Sequence, residues 1–98
     1  MIRVQLPAGL QALASCPREV EVEVDGVVSV SSILDALEET YPMLKGTMRE
    51  HDTLKRRPRV RFFACKEDVS LDDPGLPLPD AIASGDEAFL VVGAISGG

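Results

Sequence analysis

The sequence has few of the residues that build metal centres and disulfide scaffolds. It contains two cysteines, Cys16 and Cys65, and a single histidine, His51. Two cysteines are too few for a disulfide scaffold and lack the spacing of metal ligands, and no second ligand lies near His51 in the sequence. We therefore expect no metal site, no bound cofactor and no cysteine nucleophile.

The sequence also lacks a long apolar stretch. None approaches the roughly 20 residues that a membrane-spanning helix needs. Residues 13–16 resemble the cleavage site of a lipoprotein signal, but the residues before them include Gln5, Pro7 and Gln11. Such a stretch does not form the apolar centre of a signal peptide. We expect a cytoplasmic protein that does not bind a membrane.

A net positive charge is missing as well. The formal net charge is −6, which argues against nucleic acid as the main partner. One segment departs from this balance, because five of the seven residues 55–61 are basic. We call this segment the basic run. We interpret it as a solvated face or a docking surface for an acidic partner, rather than as a phosphate or nucleic-acid site.

The composition is typical of one soluble globular domain. Of 98 residues, 45% are hydrophobic and 27% are charged, and a chain of this length can bury a core without metals or disulfides. No acid–base or nucleophile–base pair stands out in the sequence. The sequence therefore does not predict an enzyme.

Alternating residues predict two strands in the first quarter of the chain. Residues 2–6 alternate apolar and polar side chains, and residues 19–24 alternate glutamate with valine. Pro7 ends the first run, and we predict a loop from there to Pro17. The simplest interpretation is a hairpin that directs the valines to the core.

A helical period follows. Apolar residues recur at the spacing of one helix face, namely at Val30, Ile33, Leu34, Leu37 and Tyr41. Serines 29, 31 and 32 offer N-caps, and Ser32 with Asp35 matches the acidic variant of a capping box. Pro42 disfavours helical geometry at the residue before it, so the predicted helix spans residues 30–41.

The second half returns to strands. Residues 59–65 and 88–92 are rich in apolar, β-branched and aromatic side chains. Residues 43–58 are predicted to hold a short helical turn and a loop, and residues 66–83 a loop with a short strand at 69–71. The elements predict an α+β fold with a mixed sheet of four or five strands and one main helix across one face.

The open face of that sheet is predicted to carry an apolar patch. If Leu90 points inward, then Phe89 and Val91 point outward, and Phe63 points outward on the strand 59–65. The alternative is a register one residue away, which exchanges the two faces.

The chain ends in Gly-Ala-Ile-Ser-Gly-Gly, residues 93–98. Glycine has no Cβ and so allows close approaches, and we predict a domain of residues 1–92 with a flexible tail of 93–98. A pair of glycines could pass through a narrow channel and present the Gly98 carboxylate to another molecule. The alternative is a frayed terminus.

The order of these elements resembles the β-grasp, ubiquitin-like sulfur carriers. That family includes the molybdopterin-synthase small subunit (MoaD-like) and the thiamine sulfur carrier (ThiS-like). The resemblance covers the whole chain and is greatest to longer bacterial and archaeal members. The family commonly has an asparagine turn after the third strand and prolines before the tail, where this chain has Cys65-Lys66 and Val92-Gly93-Ala94.

The resemblance implies a carrier that performs no catalysis itself. A ubiquitin-activating-type enzyme would bind the patch, take the tail into its ATP site and adenylate Gly98, while Gly97 would let the tail thread. A sulfur donor would then form a thiocarboxylate, and a sulfur-accepting synthase subunit would receive the sulfur. The partner-binding residues implied are Phe63, Phe89, Val91 and Ile95.

Two further functions stay open. A protein modifier would use the same Gly98 adenylate but transfer it to a lysine, and a pure binding module would use the fold without the tail.

Overall fold

The computed structural model of the protein describes residues 1–93. Within them, the strands and helices follow in this order: β1 (Ile2–Gln5), α1 (Ala8–Ala14), β2 (Glu19–Val22), α2 (Val30–Thr40), β3 (Val60–Ala64), β4 (Glu67–Asp68), α3 (Asp80–Ser84) and β5 (Phe89–Gly93). A 3-10 turn at Pro42–Leu44 follows α2.

The strands form one mixed sheet of five strands in the order β2-β1-β5-β3-β4. The pair β1–β5 is parallel, and the other neighbours are antiparallel. The predicted α+β architecture and the pairing of the first two strands are confirmed. Val20 and Val22 are buried and alternate with exposed glutamates, as the period of two requires.

Helix α2 is the main helix and covers one face of the sheet. Its apolar stripe is buried, and Ile33 and Leu37 are fully enclosed. A capping box starts the helix: the Ser32 N–H donates to Ser29 Oγ (3.1 Å), and the Ser29 N–H donates to Ser32 Oγ (2.8 Å). The predicted helix is confirmed, but the capping pair is Ser29 with Ser32 rather than Ser32 with Asp35.

The predicted loop from Pro7 to Pro17 contains helix α1 instead. Leu10 and Ala14, four residues apart, bury one face of α1 against the core, and Pro7 fits the start of a helix because its missing N–H would have no helical partner there. The chain leaves α1 through Ser15, whose φ is 50°. Two apolar residues at this spacing in a short segment show too little periodicity for a helix to be predicted from the sequence alone.

Two differences occur in residues 66–83. Cys65 and Lys66 both have positive φ values, 50° and 70°, and form a two-residue turn that pairs Ala64 with Glu67. Such a turn makes the short strand begin at once, at Glu67–Asp68 rather than at the predicted residues 69–71.

Helix α3 was not predicted either. Gly85 ends it at a φ of 85°, where a Cβ would lie 2.7 Å from the Met1 carbonyl oxygen. The Arg3 guanidinium donates to the carbonyl oxygens of Gly85 (2.7 Å) and Asp86 (2.9 Å). These contacts hold the turn before β5 against β1.

Candidate functional site: the open sheet face and the end of β5

Strand β5 lies in the centre of the sheet, and its side chains alternate between the core and the open face. Phe89 and Val91 point into the core and are 0% and 3% exposed, whereas Leu90 is half-buried and Val92 is 47% exposed. The prediction that Phe89 and Val91 lie on the open face is therefore wrong, and the register alternative holds for this strand. The ring of Phe89 stacks on that of Phe62 in the core, with 5.7 Å between ring centroids.

Leu90 and Val92 are the residues that the sequence-based prediction missed. Residues 88–92 are all apolar, so no polar side chain in the run indicates which alternate positions face solvent. On β3 the alternation is clear, because Arg61 is exposed between buried neighbours. Phe63 is half-buried on the open side of β3, as the sequence predicts.

The cross-strand register brings these side chains together. Phe63 on β3 lies opposite Leu90 on β5, and Arg61 lies opposite Val92. Residues directly opposite in an antiparallel pair have adjacent side chains on the same face. We call Phe63, Leu90 and Val92 the open-face patch.

Polar side chains surround the open-face patch. On β1, Arg3 Nη1 lies 3.1 Å from Glu19 Oε1 of β2, and on the other side Arg61 Nη1 lies 3.4 Å from Asp68 Oδ2. Exposed pairs of this kind contribute little to stability. An apolar centre with a polar rim is typical of a protein–protein interface.

The Asp68 carboxylate on this rim accepts hydrogen bonds from Ser70, including one from the Ser70 N–H at 2.8 Å. These hydrogen bonds, followed by the charges of Arg61 and Arg56, hold the pKa of Asp68 below its ordinary value. Asp68 is therefore ionised at neutral pH and fixes the end of the β3–β4 hairpin.

Strand β5 ends at Gly93, which lies opposite Val60. A Cβ at Gly93 would lie 2.6 Å from the Arg59 carbonyl oxygen and 3.1 Å from Val60 Cα. Only glycine allows the two backbones to approach this closely. Gly93, which we predicted as the first residue of the tail, thus belongs to the sheet.

The remaining predicted site residues lie outside the described part of the chain. They are Ile95, Gly97 and Gly98. Their roles stay predictions.

Two arginines of the basic run, Arg56 and Arg57, serve the fold. Arg56 donates to the backbone carbonyls of Val60 (2.7 Å), Ser70 (3.1 Å) and Arg57 (3.1 Å). Arg57 donates to the carbonyl oxygen of Gly46 at 2.9 Å. These guanidinium groups hold loops against the start of β3. Their arrangement does not resemble a phosphate site, in which basic groups converge.

An ion cluster around the buried side chains of Arg49 and Glu38 anchors the loop after α2. The Arg49 side chain donates to both carboxylate oxygens of Glu38, at 3.0 and 3.1 Å, and also to Asp35. Burial alone would lower the pKa of Arg49, but the hydrogen bonds and charges of Glu38 and Asp35 outweigh it and raise that pKa. Arg49 thus faces two carboxylates of α2, and these contacts hold the loop against the helix.

Catalytic side chains are not evident in residues 1–93. Burial raises the pKa of the Cys16 thiol, which disfavours the reactive thiolate. No three potential metal ligands cluster among the described residues. The helices in this part of the chain are all too short or too polar to cross a membrane.

Solved structures share this arrangement, although no family model and no curated relative matches the sequence. SAMP1, the small archaeal modifier protein 1 of Haloferax volcanii, has a TM-score of 0.73 at 26% identity, and the match covers 98% of this chain and 97% of that one. The chain therefore has the predicted β-grasp fold.

Two further β-grasp neighbours agree in fold. A chain of the Amycolatopsis orientalis BexX/CysO complex has a TM-score of 0.74 at 18% identity over 100% of both chains. Mycobacterium tuberculosis CysO has a TM-score of 0.70 at 21% identity, over 97% of this chain and 100% of that one. One of these neighbours was solved as a complex, that of BexX with CysO.

Proposed function

We propose that this protein is a sulfur carrier whose Gly98 carboxylate is activated by a ubiquitin-activating-type enzyme. The open-face patch docks on that enzyme, and residues 94–98 enter its ATP site. The revised domain boundary is part of the proposal: residues 1–93 form the β-grasp domain, and residues 94–98 form the tail.

The chemistry has two steps, and both involve the carboxyl group of Gly98. The Gly98 carboxylate oxygen attacks the α-phosphate of ATP, and the bond from that phosphorus to pyrophosphate breaks. A donor of sulfide (HS⁻) then supplies the sulfur that attacks the acyl carbon of the adenylate. AMP leaves with the bonding pair of the acyl carbon–oxygen single bond, the sulfur loses its proton, and a thiocarboxylate forms. A synthase subunit of the molybdopterin type, or a related enzyme, receives the sulfur.

One observation carries this proposal: strand β5, which holds two residues of the open-face patch, ends directly before residues 94–98 of the sequence. Leu90 and Val92 of the patch belong to β5, and the next residue, Gly93, ends the strand. Five residues remain after it, and an extended chain of that length spans at most about 18 Å. An activating enzyme that binds the open-face patch can therefore have its active site within reach of Gly98.

The experiment combines the protein with a cognate activating enzyme, ATP and a sulfur donor. We expect pyrophosphate release in proportion to carrier, and an intact mass that rises by the difference between sulfur and oxygen. Deletion of Gly98 should abolish both signals without changing the melting temperature. Normal adenylation of the deletion variant would falsify the proposal.

A matched pair of variants tests the patch separately. Val92→Asp should weaken binding to the activating enzyme about tenfold, because a carboxylate would be buried in an apolar interface. Val27→Asp is the control, since Val27 is also exposed, at 59%, but lies outside the patch. Equal effects of the two substitutions would contradict docking through the open face.

The second candidate is a protein modifier. It is favoured by one neighbour, SAMP1, which is a small archaeal modifier protein. The two functions share the Gly98 adenylate and differ in what attacks it. A Gly98 carbonyl that ends on a lysine of another protein, without a detectable thiocarboxylate, would support the modifier function.

A further inference from the structure

A slot lies beside the last residues of β5, at the end of the sheet where β1 gives way to α1. Its volume is about 330 Å³, and residues 5–8 line one side of it while residues 90–93 line the other. We call it the β5 slot. Because Leu90 and Val92 belong to its lining, the slot adjoins the open-face patch.

The pairing of β5 with β3 decides where the backbone groups of β5 point. The Phe62 N–H donates to Ser70 Oγ (2.8 Å), and the Phe62 carbonyl accepts from the Val69 N–H (2.8 Å). Both groups of Phe62 therefore point away from β5, which makes Phe62 and Val91 a pair without hydrogen bonds. The backbone groups of Val91, and of Gly93 two residues later, thus point away from β3 and towards the side of β1.

On that side the parallel ladder stops before it reaches these groups. Its last pair is Gln5 with Leu90, so the next residue to bond β5 would be Pro7, donating to the Val91 carbonyl and accepting from the Gly93 N–H. Proline has no N–H, and the Pro7 carbonyl accepts instead from two N–H groups of α1, at 3.0 and 3.1 Å. Within residues 1–93, the Val91 carbonyl and the Gly93 N–H are therefore left without a protein partner.

These two groups have the spacing that an added strand requires. A carbonyl and the N–H two residues later, on the same side of a strand, together bond one residue of a parallel neighbour. Main-chain hydrogen bonds of this kind supply affinity when an extended peptide adds to a sheet. We propose that an extended segment of the activating enzyme docks in the β5 slot, with one residue donating to the Val91 carbonyl and accepting from the Gly93 N–H.

The geometry also specifies the chemistry of the docked residue. It occupies the position that would continue β1, opposite Val92, so its side chain lies on the open face beside Val92. Val92 is 47% exposed, and an apolar side chain there would bury it and extend the open-face patch. The docked residue is not proline, because its N–H forms one of the two hydrogen bonds.

The chain's own tail fits the slot less well. To enter it, the tail would have to turn back on β5 through Ala94 and Ile95. Two-residue hairpin turns favour glycine, asparagine and aspartate because they need positive φ values, which a β-branched residue such as isoleucine rarely adopts. A segment of a partner is therefore the better occupant.

An added strand would fix the direction in which the tail leaves the sheet. Residues 94–98 follow Gly93 directly, and a segment parallel to β5 can continue the same ladder along them. The enzyme would then guide the tail by hydrogen bonds to its main chain, whatever the side chains of the tail. This inference rests on the proposed function for the identity of the partner, but not for the chemistry at Gly98.

Amide hydrogen exchange tests the contact directly. Isotopically labelled protein is measured by NMR alone and with the cognate activating enzyme, without ATP. We expect the Gly93 N–H to exchange at least about tenfold more slowly in the complex, because a hydrogen-bonded amide must open before it exchanges. The Val92 N–H is the internal reference, since it already faces Arg61 of β3 and should change less.

A synthetic variant removes the donor without adding a side chain. Cys16 and Cys65 divide the chain into three segments that chemical ligation can join, and an ester in place of the Val92–Gly93 amide deletes the Gly93 N–H. The affinity for the enzyme should fall about fivefold. The matched control is an ester that deletes the Asp73 N–H, which makes no hydrogen bond within residues 1–93. The control should bind unchanged, and both esters should retain the amide spectrum of the folded protein.

The outcomes separate this inference from the proposed function. Normal binding and adenylation with an unprotected Gly93 N–H, or equal affinity of the Gly93 ester and the unmodified protein, would overturn this inference alone. Protection of the Gly93 N–H in the free protein would also overturn it, because the chain itself would then fill the slot. An enzyme that neither binds the unmodified protein nor releases pyrophosphate with it would overturn both.

Discussion

Truncation of Phe89 tests which face of β5 belongs to the core. Phe89 is 0% exposed and stacks on Phe62, and removal of a buried phenylalanine side chain typically costs about 3–5 kcal/mol. In a domain of this size, each kcal/mol lost from the free energy of unfolding lowers Tm by about 4–8 °C. Phe89→Ala should therefore lower Tm by at least about 12 °C. Val92→Ala removes a side chain that is 47% exposed and should change the free energy of unfolding by no more than about 0.5 kcal/mol.

The assay is urea unfolding monitored by far-UV circular dichroism, with the two variants compared at the same protein concentration. Equal slopes of the free energy against urea would show that the variants differ in stability and not in compactness. If Val92→Ala lost as much stability as Phe89→Ala, the assigned register of β5 would be refuted. The open-face patch would then have to be redefined.

Three other perturbations follow from the structure. Lys66→Gly should raise stability by about 0.5–1 kcal/mol, because the φ of 70° at Lys66 is strained for a residue with a Cβ; an unchanged Tm would contradict this. Arg49→Met should lower the free energy of unfolding by about 3–5 kcal/mol, because it leaves the Glu38 carboxylate buried without its partner. The double variant Arg49→Met, Glu38→Leu should regain most of that free energy, as measured by chemical denaturation. The pKa of Asp68, measured by NMR titration of its carboxyl carbon, should lie below 3.8. Because folding depresses this pKa, the contribution of Asp68 to stability should be complete above pH 3.8 and disappear as the pH falls through the folded-state pKa. A pKa at or above 3.8 would show that the Ser70 hydrogen bonds are not made in solution.

The sequence by itself determined the elements whose period is unambiguous. Strict glutamate–valine alternation at residues 19–22 fixed the buried face of β2, because only one register places valines inside. The apolar stripe of residues 30–40 fixed α2, and Pro42 fixed its end. The alternation of Arg61 with apolar neighbours fixed the outward position of Phe63.

Only the tertiary structure decided the remainder. An all-apolar run has no polar residue that distinguishes its faces, so packing of Phe89 against Phe62 selected the register of β5 and placed Leu90 and Val92 outside. A seven-residue helix has little stability alone. Helix α1 forms because Leu10 and Ala14 are buried against the core. The basic run illustrates the same limit. The number of charges in the run can be read from the sequence. The hydrogen-bond partners of Arg56, however, lie up to 14 positions away, and only the folded chain brings those carbonyls within hydrogen-bond distance.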